Sequence, residues 1–155
     1  MTGFSKHVVA VSARIGAAPA KVYGIIADFR EGHPRIIPKE FSDLTVESGG
    51  WGAGTVIRYK MCAFGRTREV RSSISEPDPG RVLVETTLDS DRVVTTFVVK
   101  PGTESGQSEV TILTELPVRG GLLGAMQQFL TTRFLRPVFQ RELALLAASA
   151  GASVI

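Results

Sequence analysis

Three side chains of this sequence combine useful chemistry with positions that favour an internal site: His33, Tyr59 and Arg68. A histidine can give or take a proton near neutral pH, and a tyrosine hydroxyl can hydrogen-bond a ligand oxygen. An arginine can stabilise an enolate or hold a carboxylate. Together these groups would suit proton transfer during a ring closure or a dehydration, so we take them as candidate catalytic residues.

Each of the three also has a more ordinary interpretation. His33 lies in a polar, proline-containing segment at 30–35, where we favour a solvent-exposed loop histidine. Tyr59 fits about equally well in a core, with its hydroxyl at the rim. Arg68 follows a predicted hairpin at 64–66, and we favour a side chain that leans outward there, because a buried arginine needs a partner.

The elements that would position these residues begin with alternating strands. Period-two alternation of apolar and polar residues, bounded by turn residues, predicts strands at 7–16, 41–48, 55–63, 67–76, 81–88, 92–100 and 109–118. Strong turn signals between consecutive strands, at 77–80 and 89–91 for example, predict an antiparallel meander. Strict alternation places Tyr59 and Arg68 on the inward face, and one β-bulge would reverse that assignment.

Helical patterns occupy the gaps around the strands. Pro19 suits the first position of a short helix, and a second short helix is predicted at 28–38, interrupted by Pro34 and closed by Pro38. A long helix is predicted at 120–148, because apolar residues recur there at spacings of three and four. The predicted apolar face comprises Leu122, Leu123, Met126, Phe129, Leu130, Phe134, Val138, Leu145 and Leu146, and the opposite face Gln127, Gln128, Arg133, Arg136, Arg141 and Glu142.

A long antiparallel sheet twists, and the long helix is the simplest cover for its concave face. This arrangement is an α+β fold with a hollow between sheet and helix, where a small molecule could bind. Met126 and Phe129 are our best wall candidates. The predicted ligand-binding residues are Phe29, Ile36, Ile37, Tyr59, Met61, Phe64, Val70, Ser72, Thr95, Phe97, Thr114, Met126, Phe129, Leu130 and Phe134.

Composition narrows the class of protein. The 155 residues suit one domain, 1–155, and the formal charge of +3 is carried by scattered arginines, which argues against nucleic-acid binding. The single cysteine, Cys62, excludes an internal disulfide, and no metal-ligand or cofactor motif is present. Without an apolar run long enough for a membrane span or a signal peptide, we expect a cytoplasmic protein with no stable membrane insertion.

Several local motifs resemble the START-like superfamily. VSARI at 11–15 followed by APAKVY at 18–23, IADF at 26–29 and GWGAGT at 50–55 are similar to its opening strand, helix start, helix end and glycine turn. This superfamily includes birch-pollen-allergen-like carriers, aromatic polyketide cyclases and dehydrases, and coenzyme-Q-binding proteins. The resemblance implies the helix-grip fold, in which a curved seven-stranded antiparallel sheet wraps a long C-terminal helix and two short helices follow strand 1.

The resemblance leaves three functions open. The leading hypothesis is binding of a small hydrophobic or aromatic oxygenated molecule, without a cofactor, by a monomer or homodimer. The second is a polyketide cyclase or dehydrase that uses the same cavity. The third is a module that docks a protein or a membrane-bound quinone through an exposed apolar mouth.

Overall fold

The computed structural model describes residues 5–89 and 91–155. Within them a single seven-stranded antiparallel sheet has the strand order β1-β7-β6-β5-β4-β3-β2. Its strands are β1 (Ser5–Ile15), β2 (Phe41–Ser48), β3 (Val56–Ala63), β4 (Arg66–Asp78), β5 (Val82–Thr87), β6 (Val94–Pro101) and β7 (Ser108–Val118). The helices are α1 (Pro19–Ala27) and α2 (Gly121–Ser149), with a short 3-10 turn at His33–Arg35. The predicted helix-grip architecture is confirmed.

Period-two patterning fixes which face of the curved sheet is buried. In β6 and β7 the fully buried apolar side chains alternate with more exposed ones, as do those of β1. The register between β3 and β4 runs without a break from Val56↔Ser73 to Ala63↔Arg66. Tyr59 therefore lies opposite Val70 on the concave face, as the alternation predicted, and bulges occur only elsewhere among the described strands.

The predicted second short helix is wrong in extent, because only three residues of it form a 3-10 turn. Asp28 ends α1 instead, and its Oδ1 accepts hydrogen bonds from the backbone N–H groups of Arg30 and Glu31 at 3.1 and 3.2 Å. Pro34 and Pro38 supply no backbone donor, and the residue before a proline disfavours helical backbone. The chain therefore turns tightly here and carries His33 inward.

A glycine turn holds the end of α1 in place. Gly50 has φ +138°, a conformation that side chains disfavour, and a Cβ there would collide with the Arg30 guanidinium. The Gly50 carbonyl accepts a hydrogen bond from Phe29 N–H at 3.0 Å, and Gly52 N–H donates to the Ala27 carbonyl at 2.9 Å. These contacts fix the backbone just before His33.

The long helix α2 has two distinct halves. Apart from Gly124, none of its residues before Val138 is buried, whereas Val138, Phe139, Leu143 and Leu146 are buried against the concave face and α1. Pro137 lies at the boundary between the halves. No helix among the described residues combines the length and apolar character needed to cross a membrane.

Candidate functional site

The larger of two adjoining cavities lies between the concave face and the middle of α2. Its volume is about 220 Å³, and its walls are mainly apolar. The wall residues are Phe41, Tyr59, Met61, Ala63, Phe64, Arg68, Val70, Thr87, Val93, Thr95, Thr114, Leu116, Thr131, Phe134, Leu135 and Phe139. Strands β2 to β7 all contribute, so the cavity depends on the curvature of the whole sheet.

A smaller cavity of about 60 Å³ adjoins the larger one and shares four of its wall residues, Phe41, Tyr59, Thr95 and Phe139. Its remaining walls come from His33, Ile37, Leu44, Ile57, Phe97, Glu85 and Glu142. The titratable groups of the site are thus concentrated at one end. The two cavities together form an apolar chamber with a polar end.

A row of polar side chains crosses the concave face toward that end. Alternation on successive strands places Tyr59, Ser72, Glu85, Thr95 and Thr114 inward, one from each of β3 to β7. The Thr95 and Thr114 hydroxyls hydrogen-bond each other at 2.8 Å. Such a row could hydrogen-bond a ligand that carries several oxygen atoms.

His33 is buried in the wall of the smaller cavity, with only 3% of its surface exposed. Its Nδ1 lies 2.8 Å from the Ile26 carbonyl oxygen, so Nδ1 carries the proton and donates it in a hydrogen bond. Its ring stacks on Phe29 at 4.4 Å and meets the edge of Phe97 at 5.8 Å. Burial lowers its pKa to about 4, so the imidazole is neutral at pH 7. The expectation of a solvent-exposed loop histidine is therefore wrong.

Two carboxyl groups face the same cavity from opposite sides. Glu142 projects from α2 with 5% of its surface exposed, and burial, together with the nearby charge of Glu85, raises its pKa to about 8. Glu85 projects from β5, and burial raises the pKa of its carboxyl as well. Glu85 retains some accessible surface, which we attribute to the cavity that it lines. The pair therefore holds at least one proton at neutral pH.

Tyr59 and Ser72 lie beside Glu85 on the neighbouring strands. Both hydroxyls approach the Glu85 carboxyl and favour its ionised form, which opposes part of the effect of burial. Burial and the charge of Glu85 raise the pKa of Tyr59 well above its ordinary value, so its phenol keeps its proton. Ser72 Oγ is fully buried, and no described residue lies at the distance and angle of a well-formed hydrogen bond to it.

Arg68 is about half exposed at the β3–β4 hairpin. Its guanidinium pairs with Asp89 at 3.2 Å and with Asp91 at 3.5 Å. The predicted hairpin tip at 89–91 includes residue 90, which lies outside the described residues. Arg68 still lines the larger cavity, at the end away from His33. It therefore shares the larger cavity with Tyr59 but lies apart from His33, and its charge is already paired.

Most of the other predicted wall residues line a cavity, and three of them are buried outside both linings. Ile37, Tyr59, Met61, Phe64, Val70, Thr95, Phe97, Thr114 and Phe134 line one or both cavities, and their part in ligand binding stays a prediction. Phe29 and Ile36 lie outside both linings because they are completely buried in the core. Ser72 is buried beside the cavity without lining it.

Met126, Phe129 and Leu130 are not wall residues, which corrects the sequence-based expectation. Met126 and Phe129 have 61% and 62% of their surface exposed, and neither belongs to either cavity. They lie on the exposed side of the first half of α2. The helical spacing of apolar residues was correct, but spacing alone does not show whether a neighbour covers the face.

Sequence reasoning missed both carboxyl groups of the site. It placed Glu142 on the polar face of the long helix, whereas Glu142 follows Phe139 by three residues and precedes Leu146 by four, which puts it on the buried face. Glu85 is two residues from each of the buried Leu83 and Thr87 along β5, so it lies on the same face of the strand. A charged residue in register with buried neighbours is the signal that could have identified each one.

The chemistry of the site is that of acids, hydroxyls and apolar walls. Within the described residues, no group of three histidine, cysteine, aspartate or glutamate side chains is placed to hold a metal ion. A protonated carboxyl can donate a hydrogen bond or a proton, and an ionised one can accept a proton. The geometry therefore permits both recognition of a polar group and acid–base chemistry.

Similar proteins share this architecture. A solution structure of KanY protein matches with 27% identity and a TM-score of 0.78, over 96% of this chain and 99% of that one. The crystal structure of TTHA0849 from Thermus thermophilus matches with 21% identity and a TM-score of 0.75, over 92% and 96% of the chains. The Zhui aromatase/cyclase from Streptomyces sp. R1128 matches with 15% identity and a TM-score of 0.67, over 94% and 92%. The last two likenesses concern the fold alone.

No curated protein sequence matches this chain. The family model described as "Polyketide cyclase / dehydrase and lipid transport" matches residues 6–151, which is nearly the whole chain. The neighbours in structure include a START superfamily protein from Mycobacterium smegmatis, in agreement with the resemblance noted in the sequence. The chain belongs to the polyketide cyclase/dehydrase and lipid transport family.

Proposed function

We propose that the protein binds a small apolar or aromatic molecule with a few oxygen atoms in the chamber between the sheet and α2. The main support for this proposal is the cavity of about 220 Å³, whose apolar walls are crossed by a row of inward hydroxyl groups. The family description, with its cyclases, dehydrases and lipid transport, supports the same class of ligand. Tyr59, Thr95 and Thr114 would orient the ligand oxygens.

The size of the chamber sets the size of the ligand and the affinity. A cavity of about 150 Å³ holds benzene, so this chamber suits a fused or substituted aromatic ring. Burying roughly 200 Å² of apolar ligand surface contributes about 5 kcal/mol at 25 cal/mol per Å². Part of that is offset by lost ligand freedom, so we expect a dissociation constant of about a millimolar.

The test is calorimetric titration with 1-naphthol, an aromatic probe with one oxygen. Thr131→Trp fills the cavity wall from α2 and should weaken binding at least tenfold, because Thr131 lines the larger cavity. Gln127→Trp is the matched control, since Gln127 is exposed on the same helix and should leave binding unchanged. Equal affinities for the wild type and Thr131→Trp would place the binding site elsewhere. Native mass spectrometry of protein purified from its own host would then identify the physiological ligand.

A dehydrase or cyclase activity is the second candidate, and the two carboxyls favour it. Glu142, with its raised pKa, could protonate a leaving hydroxyl, while an ionised Glu85 takes a proton from the carbon next to a carbonyl. The balanced outcome is loss of one water and formation of a carbon–carbon double bond. Neutral His33 would then act as a hydrogen-bonding group, not as a cation.

This second candidate has its own assay. Dehydration of 4-hydroxy-4-phenylbutan-2-one gives a conjugated enone that is followed by its ultraviolet absorbance. The wild type should accelerate the reaction, and Glu142→Gln should reduce that acceleration at least 100-fold, the usual scale of general acid catalysis. Exposed Glu109 provides the matched control, Glu109→Gln, which should retain the wild-type rate. Equal rates with and without the wild-type protein would contradict a dehydrase of this class.

A further inference from the structure

The polar end of the chamber holds two acids and no charged base. Glu85 and Glu142 line the smaller cavity, and the basic side chains of the two linings are His33 and Arg68. Arg68 lies at the other end and is already paired with two aspartates. Negative charge that develops on the two carboxyls therefore has no positive side chain beside it in either lining.

The basic groups nearest to the acids do not neutralise them. His33 Nδ1 donates to the Ile26 carbonyl, and burial lowers the pKa of this histidine to about 4. Arg141 precedes Glu142 in the chain, but its guanidinium turns outward and pairs with Glu40. An ionised carboxyl in an apolar cavity is costly unless a positive or hydrogen-bonding partner reaches it.

Two polar side chains at this end lack a well-formed hydrogen bond, and this observation does not depend on which charged groups line the cavity. Glu142 is almost fully buried, with 5% of its surface exposed, and its carboxyl makes no hydrogen bond or ion pair with any described residue. Ser72 Oγ is fully buried and approaches the Glu85 carboxyl, but it makes no well-formed hydrogen bond within the described part of the chain. Buried polar groups normally have partners, so these two indicate that a ligand supplies one.

We propose that the ligand carries an ammonium group, which sits between the Glu85 and Glu142 carboxylates while an aromatic body fills the larger cavity. This inference rests on the proposed function, because it assigns one class of ligand to the same chamber. The rings of Phe41, Tyr59 and Phe97 line the smaller cavity and add favourable cation–π attraction. The ammonium can donate three hydrogen bonds, enough for both carboxylates.

The pH dependence follows from the groups that face one another here. Tyr59 keeps its proton because its pKa is raised, and His33 stays neutral above its pKa of about 4. Glu142, with its pKa of about 8, therefore titrates between pH 5 and 9, and burial raises the pKa of the Glu85 carboxyl as well. An amine that remains protonated should bind more tightly as pH rises through this range, because the carboxyls give up their protons. A neutral ligand that accepts a hydrogen bond from protonated Glu142 would show the opposite trend.

The experiment compares tryptamine with tryptophol, which are nearly isosteric and differ in carrying an ammonium or a hydroxyl group. Calorimetric titrations at pH 6 and pH 8 use the wild type, Glu85→Gln, Glu142→Gln and the exposed-site control Glu109→Gln. The wild type and the control should bind tryptamine at least tenfold more tightly than tryptophol at pH 8, with a smaller preference at pH 6. Each cavity variant should lose most of this preference while still binding tryptophol, which shows that its cavity is intact.

Three results would overturn the proposal. Equal or tighter binding of tryptophol by the wild type would show that no ammonium site exists, while the chamber itself would remain a binding site. A tryptamine preference that survives in both cavity variants would place the amine away from the carboxyl pair. If the wild type bound neither compound nor 1-naphthol, the proposed binding function would fail first, and the ammonium site with it.

Discussion

Replacement of Glu142 by glutamine should make the protein more stable at alkaline pH. Glu142 lies in the wall of the smaller cavity, almost wholly buried, and its pKa is raised from 4.5 to about 8. In the unfolded chain the carboxyl ionises near its ordinary value, whereas in the folded protein it keeps its proton to much higher pH. Between these values the folded state binds more protons than the unfolded state, so stability falls as pH rises.

The magnitude follows from the two pKa values. A change from 4.5 to about 8, at 1.36 kcal/mol for each tenfold change in the acid constant, corresponds to about 5 kcal/mol. That loss is fully absent below pH 4.5, grows through neutral pH and is complete above about pH 8. It is large beside the 5–15 kcal/mol that stabilises a typical domain. Glutamine has nearly the shape of the protonated acid and cannot ionise, so it avoids this loss.

Urea denaturation followed by far-ultraviolet circular dichroism at several pH values between 5 and 9 measures the effect. Wild type and Glu142→Gln should differ by less than about 1 kcal/mol at pH 5, and the variant should be several kcal/mol more stable at pH 9. Glu109→Gln, at an exposed site on β7, should follow the wild type throughout. A variant that is less stable than the wild type at pH 9 would refute the reasoning, because it would mean that the ionised carboxyl is stabilised by its surroundings.

Three further predictions concern elements that position the site. Buried His33 binds its proton more weakly when folded, so the wild type should lose about 3 kcal/mol between pH 6.5 and 4 in acid denaturation, and His33→Gln should lose much less. Tyr23→Phe should lower the free energy of unfolding by about 1–3 kcal/mol in urea, because it removes the hydroxyl that donates to Glu76 Oε2 at 2.5 Å. Leu143→Ala should cost about 2–5 kcal/mol, since Leu143 is 1% exposed, whereas Leu123→Ala on the same helix, 74% exposed, should change the urea midpoint little.

The sheet could be predicted from the sequence because its alternation is regular. Tyr59 and Val70 face inward as expected, since no bulge interrupts the β3–β4 register. The 3-10 turn at His33–Arg35 could not be predicted in the same way. Its shape depends on the Asp28 carboxylate and on backbone hydrogen bonds with the glycine turn, and the latter lies well beyond this segment in the chain.

The site was predicted less completely than the fold. Hydropathy assigns a glutamate to the surface, so Glu85 and Glu142 were overlooked even though their spacing places both on buried faces. Met126 and Phe129 illustrate the reverse error, because apolar character was taken as evidence of burial. In both cases, whether a side chain is buried depends on whether a neighbouring helix or strand packs against its face. The periodicity of one element does not contain that information.

Pro137 divides the long helix α2 into two parts that can move differently. A proline inside a helix supplies no N–H group for the carbonyl four residues earlier, which here is that of Arg133, and helices bend preferentially at such points. The part before Pro137 contributes Thr131, Phe134 and Leu135 to the cavity wall, and the part after it is anchored in the core. The first part meets the sheet through the Thr132–His7 hydrogen bond at 2.7 Å and the contact of Phe134 with Phe64, so we expect it to open more readily than the buried second part. Backbone amides before Pro137 should accordingly exchange with deuterium faster than those after it.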